Sequence, residues 1–181
     1  MQVVIVSGER GEGKTSFLRQ CVRELRRRNR ALFGFYAVRV TTLQGQEGYR
    51  IDRVNSDDSL LLCRREKWDA ASLKLADFWF DEQVIKTGEK WLKEGLRAPH
   101  PVFVLDEAGK FELDGFVWDS AIKRLLQFGK GTLLVAVRNR FVERVIEKYA
   151  LNRAACRVVD SLLFTVEFVN EIERSENGEA V

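Results

Sequence analysis

The sequence predicts an α/β fold of three layers, in which a mostly parallel central sheet carries helices on both faces and an added β-hairpin. Two observations favour this fold class. Short β-branched runs alternate along the chain with segments of helical period, and several of those runs are apolar at every position, as strands buried on both faces are. The chain has 181 residues, of which 45% are hydrophobic and 31% charged. This length and composition suit one domain, expected over residues 1–172, followed by a polar, disordered tail at 173–181.

The N-terminal half supplies the first strand, the first helix and the hairpin. "VVIVS" (3–7) is a β-branched run of core-strand length. Apolar residues then recur at helical spacing in a helix that starts near Lys14: Phe17, Leu18, Cys21, Val22 and Leu25. "ALFGFYAVRVTT" (31–42) and "YRIDRV" (49–54), joined by a glycine-containing loop, predict an antiparallel hairpin. "SLLLCRRE" (59–66) is a further strand candidate, and the aromatic residues of 67–80 are expected to pack rather than to stack on bases.

The C-terminal half continues the alternation. A helix is predicted from Asp81 to Leu96, ended by Pro99 and Pro101, before a buried strand at 102–105. Next come a helix with apolar residues at Phe116, Ala121, Ile122, Leu125 and Leu126, a third core strand at 131–137, and a helix over 138–151. We expect "RVVDSLLFTVEFV" (157–169) to form one or two strands and the polar segment 170–181 to be frayed.

Residues 7–15, "SGERGEGKT", fit the pattern G-x-x-x-x-G-K-[ST] and predict a phosphate-binding loop. The loop follows a buried strand and opens a helix, so its backbone N–H groups and the helix dipole favour an anion. Lys14 is expected to reach the β- and γ-phosphates, and the Thr15 hydroxyl to bind Mg²⁺. The predicted phosphate-binding residues are Gly8, Glu9, Arg10, Gly11, Glu12, Gly13, Lys14, Thr15 and Ser16.

A second motif, "VFVLDE", ends the strand at 102–105 with two carboxylates. An aspartate at such a strand end supports Mg²⁺ in P-loop proteins, which assigns Asp106 with Thr15 to the metal. The adjacent Glu107 is expected to polarise a water aimed at the γ-phosphorus. A kinase has less need of that carboxylate, so the pair favours hydrolysis. The guanine-reading N-K-x-D pattern is absent from the sequence, and nothing here demands GTP.

Several cations are expected at the edge of the sheet where parallel strands end and ligands bind. Arg138 closes the third core strand and is a candidate arginine finger; Arg39 and Arg140 are alternatives. Lys110 and Glu112 follow the acidic pair. Either Lys110 contacts phosphate, or the two residues pair with each other or with solvent at little energetic consequence.

Charge and composition limit the kinds of partner and cofactor that we expect. The net charge is +3, and the basic cluster 23–30 is interpreted as a solvated helix face rather than a nucleic-acid site, because no nucleic-acid module accompanies it. No apolar run approaches a membrane span. Three separated cysteines, Cys21, Cys63 and Cys156, predict free thiols in a cytoplasmic protein. The single histidine, His100, argues against a zinc site or a histidine base. We expect a monomer.

At these motifs the chain resembles a known family. "GERGEGKTS", "GFYAVRV…GYRI" and especially "LDEAGKFEL" resemble the small P-loop nucleoside triphosphatases of the thermophilic and human cancer-related nucleoside-triphosphatase family, over about residues 2 to 150. The resemblance implies a RecA-like fold and slow, Mg²⁺-dependent hydrolysis of ATP, GTP and other NTPs. The sequence departs from the family's usual pattern at Ser16, Ala108 and Phe111, where threonine, isoleucine and methionine are usual.

The sequence therefore favours a nucleoside-triphosphate hydrolase with broad base specificity, since every strong motif addresses phosphate or metal. Two alternatives stay open. A P-loop kinase of a nucleoside or small metabolite would need an acceptor pocket and a lid, which the hairpin could supply. A nucleotide-binding adapter would bind tightly without turnover.

Overall fold

The structure is a computed structural model that describes residues 1–41, 45–152, 155–160 and 165–176. The strands are β1 (Gln2–Ser7), β2 (Leu32–Thr41), β3 (Glu47–Arg53), β4 (Ser59–Arg64), β5 (Leu73–Leu75), β6 (Phe78–Phe80), β7 (Val102–Ala108), β8 (Thr132–Val137) and β9 (Cys156–Asp160). The helices are α1 (Lys14–Arg27), α2 (Glu82–Glu94), α3 (Lys110–Leu113), α4 (Asp119–Phe128), α5 (Val142–Lys148) and α6 (Thr165–Glu176). Short 3-10 turns occupy Gly95–Arg97 and Asn139–Phe141.

All described strands form one sheet in the order β5-β6-β4-β3-β2-β7-β8-β1-β9. The strands from β2 to β9 in this order pair in parallel, and those from β5 to β2 pair antiparallel. The predicted α/β class with mostly parallel central strands is confirmed. The predicted hairpin of β2 and β3 is present, but it extends into a larger antiparallel region than expected, because β4, β6 and β5 continue it.

Side chains of each central strand alternate between two apolar cores, one on each face of the sheet. Val3 and Ile5 of β1 contribute to the core beneath α2, α4 and α5. Val4 and Val6 contribute to the opposite core beneath α1 and α6. Burial on both faces explains why the central positions of β1 (3–6), β7 (102–105) and β8 (133–137) are apolar. At Gly34 of β2 the backbone passes so close to β7 that a Cβ would lie 2.0 Å from the Val104 carbonyl oxygen.

The prediction for residues 157–169 is wrong in its second half. A strand at Cys156–Asp160 pairs in parallel with β1, but residues 165–169 begin helix α6. Phe168, Val169 and Ile172 are buried against α1, with the Phe168 ring 5.3 Å from that of Phe17. Packing of this apolar face outweighs the strand preference of its β-branched residues. The polar segment expected to fray from residue 170 thus starts inside a helix that reaches Glu176; residues 161–164 and 177–181 lie outside the described residues.

The predictions of a helix at 81–96 and of cysteines outside disulfides are confirmed. The helix at 81–96 appears as α2 plus a 3-10 turn, with the Asp81 carboxylate accepting hydrogen bonds from the N–H groups of Gln83 (2.8 Å) and Val84 (3.3 Å). None of the three cysteines, all in the described ranges, forms a disulfide, and Cys21 and Cys63 are buried. None of the helices in the described ranges is both long and apolar enough to cross a membrane.

Candidate active site

The phosphate-loop residues form a tight turn between β1 and α1. Gly11 and Gly13 have φ of +87° and +85°, and a Cβ at either position would meet no atom within 4 Å. The backbone conformation, rather than lack of space, therefore favours glycine there. The Glu12 carboxylate accepts a 2.6 Å hydrogen bond from the Glu9 N–H. The loop thus already presents a backbone donor to an anionic oxygen, as a phosphate-binding loop must.

The amine of Lys14 points back into the loop. Its Nζ donates hydrogen bonds to the carbonyl oxygens of Gly8 (2.8 Å) and Glu9 (2.6 Å). Burial lowers the pKa of this amine, while the nearby carboxylates of Glu107 and Asp106 oppose that shift. Lys14 is therefore held where an entering phosphate can replace the carbonyl oxygens as its partner.

Asp106 and Thr15 lie together, as predicted for a metal site. The Asp106 side chain is 3% exposed, accepts a hydrogen bond from the Ala37 N–H at 3.2 Å, and is hydrogen-bonded to Thr15. Among described residues it has no ion pair with a lysine or arginine within 4 Å. Burial raises the pKa of this carboxyl to about 7. A buried carboxylate and a hydroxyl are hard oxygen donors, the kind of ligand that Mg²⁺ prefers.

Glu107 sits on a bulge of β7. Leu105 pairs with Val135 and Ala108 with Val137, so β7 has one more residue than β8 between these pairs. Glu107 takes up this bulge with φ of +84°, a conformation that non-glycine residues rarely adopt. Strained backbone of this kind concentrates at functional sites. The bulge lets the side chains of both Asp106 and Glu107 line the same pocket.

Arg138 follows β8 and reaches Glu107 from the neighbouring strand. Its Nη2 lies 2.6 Å from Oε1 of Glu107, and the two side chains are 27% and 40% exposed. Of the three predicted finger candidates, Arg138 is the one with an ion pair to Glu107 or Asp106 among the described residues. Arg39 pairs with Glu47 instead, and Arg140 lies over the Phe141 ring at 4.6 Å.

Glu112 is buried, and its carboxylate accepts hydrogen bonds from the N–H groups of Gly109 (2.7 Å) and Trp118 (3.5 Å). Pairing with Lys110 or with solvent was one of the alternatives that the sequence left open, and the partners observed here are backbone N–H groups instead. Burial raises the pKa of this carboxyl to about 7. Glu112 therefore fixes the turn that directly follows Glu107. Its position three residues after Gly109 is the spacing of a helix N-terminal capping glutamate, which was the available signal.

These groups surround a pocket of about 350 Å³ at the carboxyl ends of β1, β7 and β8. Its lining residues are Arg10, Gly11, Gly13, Lys14, Thr15, Ser16, Ala37, Arg39, Tyr49, Asp106, Glu107, Ala136 and Arg138. Gly8, Glu9 and Glu12, also predicted to bind phosphate, do not line this pocket. The wall formed by Ala37 and Tyr49 was missed. Both residues lie in the "GFYAVRV…GYRI" segments that carry the resemblance, but they were not assigned to the site, which they reach through the pairing of β2 with β3.

A second cavity of about 230 Å³ adjoins the first. The two share Ala37, Tyr49, Asp106, Glu107 and Arg138, but no residue of the phosphate loop lines the second cavity. Its other lining residues are Leu62, Cys63, Phe78, Phe80, Gly109, Lys110, Phe111, Glu112, Val117, Trp118, Arg140 and Phe141. The acidic pair therefore stands between a polar pocket and an apolar one.

The fold and this site define the chain as a nucleotide-binding P-loop protein of the α/β class. A family model described as NTPase matches residues 3–173. The chain belongs to this NTPase family, which confirms the resemblance seen in the motifs.

Two solved structures share the fold at low sequence identity. THEP1 from the hyperthermophile Aquifex aeolicus is 15% identical with a TM-score of 0.69, covering 95% of this chain and 99% of its own. A human cancer-related nucleoside triphosphatase is 17% identical with a TM-score of 0.68, covering 100% of both chains. No curated protein matches the sequence.

Proposed function

We propose that this protein hydrolyses nucleoside triphosphates to the diphosphate and phosphate, with Mg²⁺ as cofactor, ATP or GTP among its substrates, and little discrimination between bases. The observation that carries the proposal is Glu107. Its position on a strained bulge, beside a phosphate loop and a buried aspartate, supports a role as the base for a water molecule.

Each residue has a part in this reaction. Lys14 and the loop N–H groups hold the phosphates and offset their charge. Thr15 and Asp106 would hold Mg²⁺, which when bound supplies charge neutralisation on the phosphate oxygens. Glu107 takes a proton from a water molecule while the oxygen of that water bonds to the γ-phosphorus. The bond between the γ-phosphorus and the β,γ-bridging oxygen breaks in the same step. Arg138, released from Glu107 by the terminal phosphate, stabilises the charge that develops there.

The test is phosphate release from ATP, GTP, CTP and UTP, each with and without Mg²⁺ and with no added acceptor. We expect release from all four that depends on Mg²⁺, with kcat/KM values within about a hundredfold, near 2.7 kcal/mol. A larger preference would reveal a base-reading element. Turnover without a divalent ion would contradict the assignment of Thr15 and Asp106 as metal ligands.

A second candidate is phosphoryl transfer to an organic acceptor, favoured by the apolar cavity on the other side of Glu107. Phosphate release without an acceptor separates hydrolysis from this transfer. Tight nucleotide binding without turnover would instead favour an adapter. We further propose a cytoplasmic monomer, for which size-exclusion chromatography with light scattering tests the oligomeric state.

A further inference from the structure

The cavity of about 230 Å³ has walls suited to a flat apolar molecule. The Phe80 and Phe111 rings meet edge-on with centroids 5.3 Å apart, and the Tyr49 and Phe78 rings do so at 5.8 Å. Phe141 adds a further ring. Aromatic walls of this kind bind an aromatic or aliphatic body through burial and ring contacts, and they offer little to a water molecule.

The charged side chains that line the cavity differ in whether they have partners within the protein. Glu107 is paired with Arg138, and Glu112 is occupied by the Gly109 and Trp118 N–H groups. Asp106 also lines the cavity, but its carboxyl is buried and hydrogen-bonded to Ala37 and Thr15. Lys110 and Arg140 are exposed, and neither has an ion pair within 4 Å to a described carboxylate. The exposed charges without an ion pair are therefore positive, which favours an acidic group on a ligand.

The cavity has no wall in the phosphate loop. No residue of 8–16 lines it, although the two pockets share Ala37, Tyr49, Asp106, Glu107 and Arg138. We therefore expect a molecule in the cavity and a nucleotide on the loop to bind at the same time.

We propose that this cavity binds a second, non-nucleotide ligand: a small molecule with a flat apolar body and an acidic group, the body lying among Phe78, Phe80 and Phe111 and the acid meeting Lys110 and Arg140. The position of this ligand beside the terminal phosphate rests on the proposed function, whereas its binding in the cavity does not.

The probe is 1-anilinonaphthalene-8-sulfonate, an aromatic body with a sulfonate, followed by its fluorescence on titration. Phe111→Ala should weaken binding about tenfold, from lost burial and ring contacts. Lys110→Ala combined with Arg140→Ala should weaken it about five- to tenfold, from two exposed ion pairs. Phe128→Ala, which removes a ring that is 60% exposed on α4, is the matched control and should change nothing.

Three further arms complete the test. N-phenyl-1-naphthylamine, which lacks the sulfonate, should bind equally to wild type and to the double variant. Saturating nucleotide should leave the affinity for the sulfonate probe within about threefold. Lys14→Ala, which disables the loop, should keep probe binding even where nucleotide binding is lost.

Any of three results would overturn the proposal: no saturable binding of the probe, displacement of the probe by nucleotide, or equal affinity for the probe in wild type, Phe111→Ala and the double variant. Circular dichroism establishes that each variant is folded, and the two exposed cations of the double variant provide a test even where Phe111→Ala is not folded.

Discussion

Replacing Glu107 by glutamine tests the proposed chemistry directly. The change keeps the shape of the side chain and removes the charge that accepts the proton. The base contributes roughly 10² to 10⁴ in rate, so kcat should fall by that factor, equivalent to about 3 to 5 kcal/mol in the barrier.

The structure separates this effect from stability and from binding. The lost ion pair with Arg138 joins side chains that are 27% and 40% exposed, and such a pair contributes at most about 1 kcal/mol. Freed from Glu107, Arg138 can contact phosphate. We therefore expect the unfolding midpoint to change little and nucleotide affinity to stay the same or to rise.

Single-turnover hydrolysis and a nucleotide binding isotherm on the same preparation make the measurement. Glu147→Gln, on the exposed side of α5, is the matched control and should hydrolyse at the wild-type rate. Wild-type hydrolysis by Glu107→Gln would refute the assignment of Glu107 as the base. A loss of nucleotide affinity equal to the loss of rate would show that the carboxylate serves binding instead.

Three further outcomes are expected. Lys14→Ala should abolish nucleotide binding or hydrolysis with an unchanged circular dichroism spectrum; unchanged affinity and turnover would contradict the phosphate-loop assignment. Arg138→Ala should lower kcat by about 10³ or more if it is the arginine finger, with Arg124→Ala, at an exposed position of α4, as the control; equal effects of the two would exclude that role. For Asp106, with a folded pKa near 7, the folded state keeps a proton that the unfolded state loses near pH 4, so urea-unfolding stability of the nucleotide- and metal-free protein should fall as pH rises from 4 to 7. Asp106→Asn should flatten that fall by one to a few kcal/mol, on the order of 1.4 kcal/mol for each pKa unit, and an unaltered slope would contradict the raised pKa.

The sequence by itself determined the fold class, the phosphate loop and the acidic pair. Each depends on local information: an apolar run long enough to be a buried strand, glycines at positions where φ must be positive, and a fixed spacing of Lys14 and Thr15 after them. The position of Asp106 at the end of a core strand also follows from the order of residues, because parallel strands end at one edge of the sheet.

Tertiary structure alone decided which side chains meet at that edge. Glu107 points into the site because β7 gains one residue over β8, and a bulge arises from the pairing of two strands rather than from either strand. Arg138 and Glu107 are 31 residues apart and are joined by that same pairing. The apolar cavity depends on the antiparallel strands beside β2, and α6 is a helix because its apolar face packs on α1. Such contacts join residues distant in the chain, so no local pattern records them.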